Sequence, residues 1–404
     1  MMSLKKITNH MSSYYGPLAS LATPGGGIAA VGAIGPGILR CASSEGSRND
    51  NFKSAKSDKP VKRVVFISQS SNVFSNLAFE DWLYKNWSFE KRNVLFLWRN
   101  NPCVVIGKHQ NPYVEANLRY LESAGVPVAR RNSGGGTVYH DEGNLNCTFF
   151  TNKARYNRKE NLGVICQALQ EDFNIHANAT HRDDIIVGQD FKVSGSAAKL
   201  GRESAYHHCT LLVGTDKHQL KLALQGDKSI QSKATFSVPS LVMNLKDANQ
   251  DITVEQLITS IGRKYLESSV VGNEASSQQM IQLSNGYTLI NPTDDWFPGL
   301  GKLEAELSSY SWLHNKTPRF TITRPITLPE CVANNTTVDV SVQVYHGIIE
   351  DVKMTNQDVC PDVADLIHEV GGAVKGSQFS VEIFNDLTNR MRLPQPLRTQ
   401  RSVM

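Results

Sequence analysis

Arg130-Arg131-Asn132-Ser133-Gly134-Gly135-Gly136-Thr137-Val138-Tyr139-His140-Asp141 joins two fixed positive charges to three consecutive glycines, then returns to β-branched and aromatic residues. Glycine lets a backbone turn sharply and approach a ligand with no Cβ in the way. The N–H groups of such a loop can converge on an anion, and arginine adds a bidentate hold on phosphate or carboxylate. A strand-like segment, Val126–Arg131, delivers the loop, and a second, Leu145–Thr151, follows it. No Gly-Lys-Ser/Thr comes after the glycines and they do not space as GxGxxG, which excludes a Walker A loop and a dinucleotide fingerprint.

Outward from the loop, strand and helix patterns alternate. Val64–Ile67 reads as a strand, and Phe74, Leu77, Ala78 and Trp82 recur at helical spacing after Ser70-Ser71-Asn72. Val94–Trp98 and Val104–Gly107 flank Asn100-Asn101-Pro102, which predicts a hairpin. Asn111-Pro112 opens a helix that Gly125 closes. A helix over Glu160–Asp172 precedes two strands, Asp184–Val187 and Phe191–Ser194, joined by Gly188-Gln189-Asp190, and Ala205–Gly214 is a further strand. Thr253-Val254-Glu255-Gln256 has capping-box spacing ahead of Leu257, Ile261 and Tyr265.

This pattern predicts an α+β domain around a largely antiparallel sheet, ending near residue 270. Ser276–Gln279 is a polar break. Beyond it Val338, Val340, Val342 and Val344 alternate as in a strand, and helical patterns cover Gly301–Ser309 and Asp362–Val370. The expected division is therefore residues 1–60 outside the fold, 61–272 a large first domain, and 280–404 a smaller α+β domain.

The 404 residues carry a formal charge of +4 with acids and bases interspersed, so there is no basic stripe of the kind a nucleic-acid binder presents. Seven cysteines lie scattered without CxxC spacing, which fits reduced thiols. The first acid is Glu45, after Lys5, Lys6 and Arg40 in a Ser/Ala/Gly-rich start, the bias of a mitochondrial presequence. Gly16 to Leu39 carries no charge, but its seven glycines and three prolines argue against a stable membrane span.

A second motif gives the loop its meaning. Asp183-Asp184-Ile185-Ile186-Val187-Gly188-Gln189-Asp190-Phe191-Lys192-Val193-Ser194-Gly195-Ser196-Ala197 leads to His207-His208-Cys209-Thr210-Leu211-Leu212. Lys192 sits in a strand opposite its apolar neighbours, a mobile point charge able to neutralise an acyl phosphate or carboxylate, with small residues after it keeping space open. Adjacent His207 and His208 face opposite sides of a strand and no spaced ligand set completes them, so no metal site is expected. Cys147 and Cys209 read as buried strand thiols rather than nucleophiles.

Taken in order, Arg130 to Asn144, the Lys-Val-Ser-Gly-Ser-Ala run at 192–197 and the His-His-x-Thr-Leu-Leu run at 207–212 resemble the lipoate–protein ligase and lipoyltransferase family. The resemblance covers about residues 64 to 320. Val105-Ile106-Gly107-Lys108-His109-Gln110-Asn111-Pro112, Asn291-Pro292-Thr293-Asp294 and Trp312 to Phe320 are similar to its eukaryotic mitochondrial lipoyltransferase branch.

That likeness implies a large mixed-sheet catalytic domain of the biotin/lipoate ligase type with a smaller C-terminal accessory domain. It implies a lipoate-binding loop from Ser133 and Gly134 through Gly135, Gly136, Thr137 and Val138 to Tyr139. Arg131 would meet the carboxyl or phosphoryl end of the donor, and Lys192 the lipoyl carbonyl and adenylate phosphate. Arg182 and Thr210 would lie on the nucleotide side, with Ala234 and Thr235 completing it. It further implies a matrix enzyme that takes lipoyl groups from the glycine-cleavage H protein, or from lipoyl-AMP in vitro, to lysines of E2 lipoyl domains of 2-oxoacid dehydrogenases.

The chemistry is constrained by charge. An acceptor lysine, with an ordinary pKa of roughly 10.4, must lose its proton before attacking a lipoyl carbonyl. The negative charge that develops needs preorganised cations and N–H donors, and close placement of two large reactants supplies further acceleration. With an adenylate donor no side-chain nucleophile is obligatory and no tightly bound cofactor is expected. Two alternatives stand beside transfer: a full ligase that activates lipoate with Mg-ATP, and a non-catalytic lipoyl-binding module.

Overall fold

The computed structural model describes residues 61–268, 286–330, 336–355 and 361–393. The presequence expected within residues 1–60 and the polar break at Ser276–Gln279 lie outside these residues.

The first segment begins with β1 (Lys62–Ser68), α1 (Val73–Asn86), β2 (Arg92–Trp98) and β3 (Cys103–Ile106). Asn72 starts α1 by accepting from Phe74 N at 2.8 Å and Ser75 N at 3.3 Å, which satisfies two N–H groups with no partner inside the helix. Two short helices follow, α2 (Pro112–Glu115) and α3 (Leu118–Ser123), then β4 (Val128–Arg130), β5 (Val138–His140) and β6 (Asn144–Asn152). The long helix α4 (Arg158–Phe173) leads to β7 (Ala177–Ala179), β8 (Ile185–Val187), β9 (Phe191–Ser194), β10 (Ser196–Leu200) and β11 (Ser204–Leu212). Next come α5 (Lys217–Ala223), the short β12 (Gln231–Ser232) and α6 (Val254–Glu267). The capping box predicted for α6 is present: Gln256 N donates to Thr253 Oγ1 at 3.2 Å, and Thr253 N to Gln256 Oε1 at 2.8 Å.

After residue 285 the chain forms β13 (Tyr287–Ile290), α7 (Leu300–Leu307) and α8 (Tyr310–His314). The antiparallel strands β14 (Phe320–Thr327), β15 (Thr337–Tyr345) and β16 (Ile348–Met354) follow, then α9 (Pro361–Val374) and α10 (Ile383–Met391).

The largest sheet runs β10-β11-β6-β2-β1-β13. Its β10, β11, β6 and β2 pair antiparallel, whereas β2–β1 and β1–β13 are parallel, so the sheet is mixed with antiparallel pairs in the majority. One face buries Phe96, Trp98, Phe150 and Tyr206 under α1, which contributes Leu77, Ala78, Phe79 and Leu83. Side chains of this size stabilise the fold by roughly 1.5–3 kcal/mol each when fully buried. Beside them α1 also buries Ser75, Asn76, Glu80 and Asp81, four polar groups that need partners. A second core gathers Val338, Val340, Val342 and Val344 of β15, the alternation visible in the sequence, against α9 and α10.

Two local expectations fail. No hairpin forms across Asn100-Asn101-Pro102: β2 is bonded on both edges, to β1 and β6, so β3 leaves that sheet and builds a second one with β4 and β5. The helix expected between Asn111 and Gly125 is broken at Ala116, whose backbone is extended, and Asn117 caps the restart. Gly125 does close the second piece, at φ +64°.

Candidate functional site

The glycine loop leaves β4 and re-enters at β5, and these strands flank β3 on opposite sides, parallel and antiparallel. The loop must therefore cross the end of β3, where Gly107 stands. A Cβ on Gly107 would lie 2.2 Å from the Gly135 carbonyl oxygen, so only glycine permits the crossing. Gly135 itself has φ +84°, a left-handed conformation that favours glycine. Lys108 N donates to Ser133 O at 2.9 Å. Gln110 Oε1 accepts from Gly107 N and from Thr137 Oγ1, both at 2.8 Å, and ties the two ends of the crossing together.

Both arginines are buried. Arg130 donates to the carbonyls of Lys108 at 2.9 Å and Gln110 at 2.8 Å, and to Thr317 Oγ1 at 2.8 Å. Arg131 donates to Ser133 Oγ at 3.0 Å, Val105 O at 3.2 Å, Gly134 O at 2.5 Å and Gly136 O at 2.7 Å. Burial pushes each guanidinium down to about 10, which leaves both charged near neutral pH. Arg131 lines a cavity, yet these bonds run to the loop and to the Val105 carbonyl of β3 rather than outward.

That cavity, of about 300 Å3, is bounded by the loop on one side and by β9, β10 and β11 on the other. Among the residues singled out from the sequence, Arg131, Gly135, Gly136, Thr137, Val138, Lys192, Thr210 and Thr235 line it. A second space of about 340 Å3 adjoins it across Thr137, Val138, Lys192, Gly195 and Thr210, and reaches Tyr139. Ser133, Gly134 and Ala234 line neither space, and Ser133 and Ala234 are buried. Arg182 is on an exposed turn and lines neither space.

Lys192 belongs to β9, whose backbone is held from outside by the 241–243 segment: Lys192 N donates to Leu241 O at 2.9 Å and Met243 N to Lys192 O at 3.1 Å. Its Nζ lies 2.9 Å from Asp184 Oδ1, with the lysine side chain 25% exposed. Gly195 adjoins it: a Cβ there would stand 3.7 Å from Lys192 Cε and from Thr210 Oγ1, ordinary contact distances that would not crowd the lysine.

Sequence reading missed the polar chain behind the loop. Glu80 of α1 accepts from His208 Nδ1 at 2.8 Å and from Thr148 Oγ1 at 2.9 Å. His208 Nε2 lies 2.8 Å from Ser133 Oγ, which also accepts from Arg131. The chain thus runs helix to strand to loop, and it supplies the partner that buried Glu80 needs. The one visible signal was a glutamate on the apolar face of α1. His207 faces the other side, stacked on Phe149 and 3.1 Å from Ser196 Oγ. Cys147 and Cys209 are buried partners in the β6–β11 register, with burial raising the Cys147 thiol. Among the described residues no group of three or more His, Cys, Asp or Glu side chains is placed to hold a metal ion, and no helix is long and apolar enough to cross a membrane.

Comparison with known proteins supplies the context. The model of the lipoyl protein ligase A/B catalytic domain matches residues 72–265. Lipoyl amidotransferase LIPT1, mitochondrial, of Homo sapiens is 38% identical over 345 residues, 82% of this chain and 86% of that protein. Lipoate-protein ligase A of Psychrobacter cryohalolentis is 32% identical over 342 residues, 82% of this chain and 94% of its own length. Among solved structures, P. falciparum LipL1 in complex with lipoate matches at a TM-score of 0.53 and 28% identity, over 82% of this chain and 95% of that one.

Proposed function

Proceeding from the family to which this chain belongs, the lipoyl protein ligase A/B catalytic family, we propose that its main cavity receives a lipoyl group and passes it to a protein lysine. The chain is an acyltransferase of the lipoyl amidotransferase kind. One observation carries the site assignment: Lys192 and the glycine loop, distant in sequence, face each other across one cavity.

In this reading the loop from Ser133 to Tyr139 cradles the acyl chain. Arg131 is a positioning residue, because its donors hold the carbonyls of Gly134 and Gly136 and so set the loop's shape. Lys192 is the catalytic residue. At rest it pairs with Asp184; a donor phosphate or a developing oxyanion in the cavity offers it a second negative charge to neutralise, and such preorganised donors are commonly worth ~10²–10³ in rate. The proton lost by the acceptor lysine leaves with the departing group or to solvent. Thr210 and Thr235 flank the nucleotide side of a lipoyl-AMP donor, with Ala234 behind Thr235 and Arg182 approaching only from the exposed turn.

Every residue that lines the main cavity falls between 77 and 238, which supports placing the chemistry in residues 61–272 and an accessory role in 280–404. The mitochondrial names of the relatives and the acid-free N-terminal stretch support a matrix location. There the donor would be lipoylated glycine-cleavage H protein, and the acceptors E2 lipoyl domains of the 2-oxoacid dehydrogenases.

Kinship to lipoate-protein ligase A favours one other reading, activation of lipoate with Mg-ATP by the same chain. Purified protein mixed with an apo lipoyl domain separates the two. Transfer is expected from lipoyl-AMP and not from free lipoate plus Mg-ATP. Modification from lipoate and Mg-ATP would make the chain a ligase, and none above background from lipoyl-AMP, from lipoylated H protein or from lipoate and Mg-ATP would make it a binding module.

A further inference from the structure

Leu77, Trp98 and Val105 line the cavity, and the buried ring of His140 lines it with them. His140 is 2% exposed and meets the Trp98 ring edge-on at 6.0 Å. Its Nδ1 lies 3.0 Å from Asn100 Nδ2. Which ring nitrogen carries the proton follows from the amides behind it. Asn76 turns its Nδ2 to the carbonyls of Ser70 at 3.0 Å and Arg99 at 3.2 Å, and its Oδ1 accepts from Ser68 Oγ at 2.6 Å. The reverse orientation would press an amide oxygen against two carbonyl oxygens.

Asn76 Nδ2 shares its two hydrogens among those carbonyls and Asn100 Oδ1 at 2.9 Å; with its oxygen turned to that amide, Asn100 presents Nδ2 to His140 Nδ1. Burial, with the nearby charges of Arg131 and His208, lowers the ring to about 3, so it is neutral at ordinary pH. Its single proton sits on Nε2, an atom that is buried and has no protein partner among the described residues. A donor fixed in this way costs free energy until an acceptor meets it.

We propose that His140 is a specificity-determining residue whose Nε2–H donates to a ring sulfur of the lipoyl group and so favours lipoyl over plain straight-chain acyl groups. This rests on the reading that the cavity receives the lipoyl group. Along the acyl chain the dithiolane sulfurs are the only atoms that can accept, and an octanoyl chain has none. Sulfur accepts weakly, so the expected preference is modest.

Octanoate differs from lipoate in shape as well as in sulfur, so the test uses cyclopentylpentanoate, which keeps a five-membered ring and removes the sulfurs. Adenylates of both acids are offered to the protein with an apo lipoyl domain, and kcat/KM is compared. The wild type is expected to prefer lipoyl by about tenfold. His140→Phe is expected to reduce that ratio below about twofold while still using the carbocyclic donor. Equal use of both donors by the wild type, or an undiminished ratio in an active His140→Phe, overturns the proposal.

A measurement on the wild type alone decides the matter if the variant does not fold. In NMR of the histidine-labelled protein, the Nε2–H proton of His140 should move downfield with free lipoate and not with cyclopentylpentanoate. The same response to both acids overturns the proposal. Because that readout needs no acyl transfer, loss of transfer from both adenylates would count against the proposed function and not against His140.

Discussion

Arg131 and Lys192 are both cations on the wall of one cavity, yet their surroundings differ in kind. Arg131 is buried and its guanidinium is spent on the loop's own carbonyls. Lys192 is a quarter exposed, sits on a strand braced from outside, and is held by a single carboxylate. The first arrangement stores shape and the second stores charge that can change partners. A loop that must fit an acyl chain needs fixed geometry, whereas a group that answers a developing charge needs a weak resting partner.

Acid should strike the buried half hardest. His140 and His207 are both lowered to about 3, chiefly by burial. The unfolded chain binds these protons near pH 6.5 while the native rings stay neutral, so stability falls as pH drops from about 6.5 toward 3. Denaturant titrations across that range should show a falling midpoint, with replacement of either histidine flattening the slope. A midpoint unchanged down to pH 4 would contradict the buried neutral rings.

Arg131→Ala comes next in size. It leaves the carbonyls of Val105, Gly134 and Gly136 without their donor in a buried place, at a cost of about 3 kcal/mol or more. Urea unfolding should register that loss, together with loss of transfer. Lys192→Ala should separate the two properties: transfer falls by roughly 10²–10³, while stability stays within ~0.5–1 kcal/mol. Circular dichroism and a single-turnover transfer assay read both. Equal damage to stability in the two variants would erase the contrast between them.

Asp184→Asn should act least. The pair with Lys192 is partly exposed, so stability should move by less than ~1 kcal/mol. With its resting partner gone, Lys192 remains available to the donor, and the transfer rate should stay within about threefold of the wild type. A loss as deep as that of Lys192→Ala would instead make Asp184 part of the reacting constellation.

The same contrast governs what could be read from the chain. The glycine triplet, the strand pattern around Lys192 and the capping box of Thr253 lie in residues a few positions apart, and local spacing reveals them; that the loop crosses at Gly107 is not written there. The Glu80–His208–Ser133 chain joins residues 128 and 75 positions apart in sequence, and no local pattern encodes it. The misplaced hairpin has a similar cause: Val94–Trp98 and Cys103–Ile106 look like partners until both edges of the first are seen to be occupied by β1 and β6. Arg131 is the subtler case. Beside glycines it looks like an anion receptor, and only its burial shows that the carbonyls of the loop take its donors first.

The most direct test of the account is movement of a lipoyl group between two proteins. Lipoylated glycine-cleavage H protein and an apo E2 lipoyl domain are incubated with the purified chain and no nucleotide, and intact masses of both are followed. The account predicts that the E2 domain gains one lipoyl group on its acceptor lysine as the H protein loses one, and that Lys192→Ala slows both changes together. An unmodified E2 domain after prolonged incubation, with modification appearing only when lipoate and Mg-ATP are added, would contradict it.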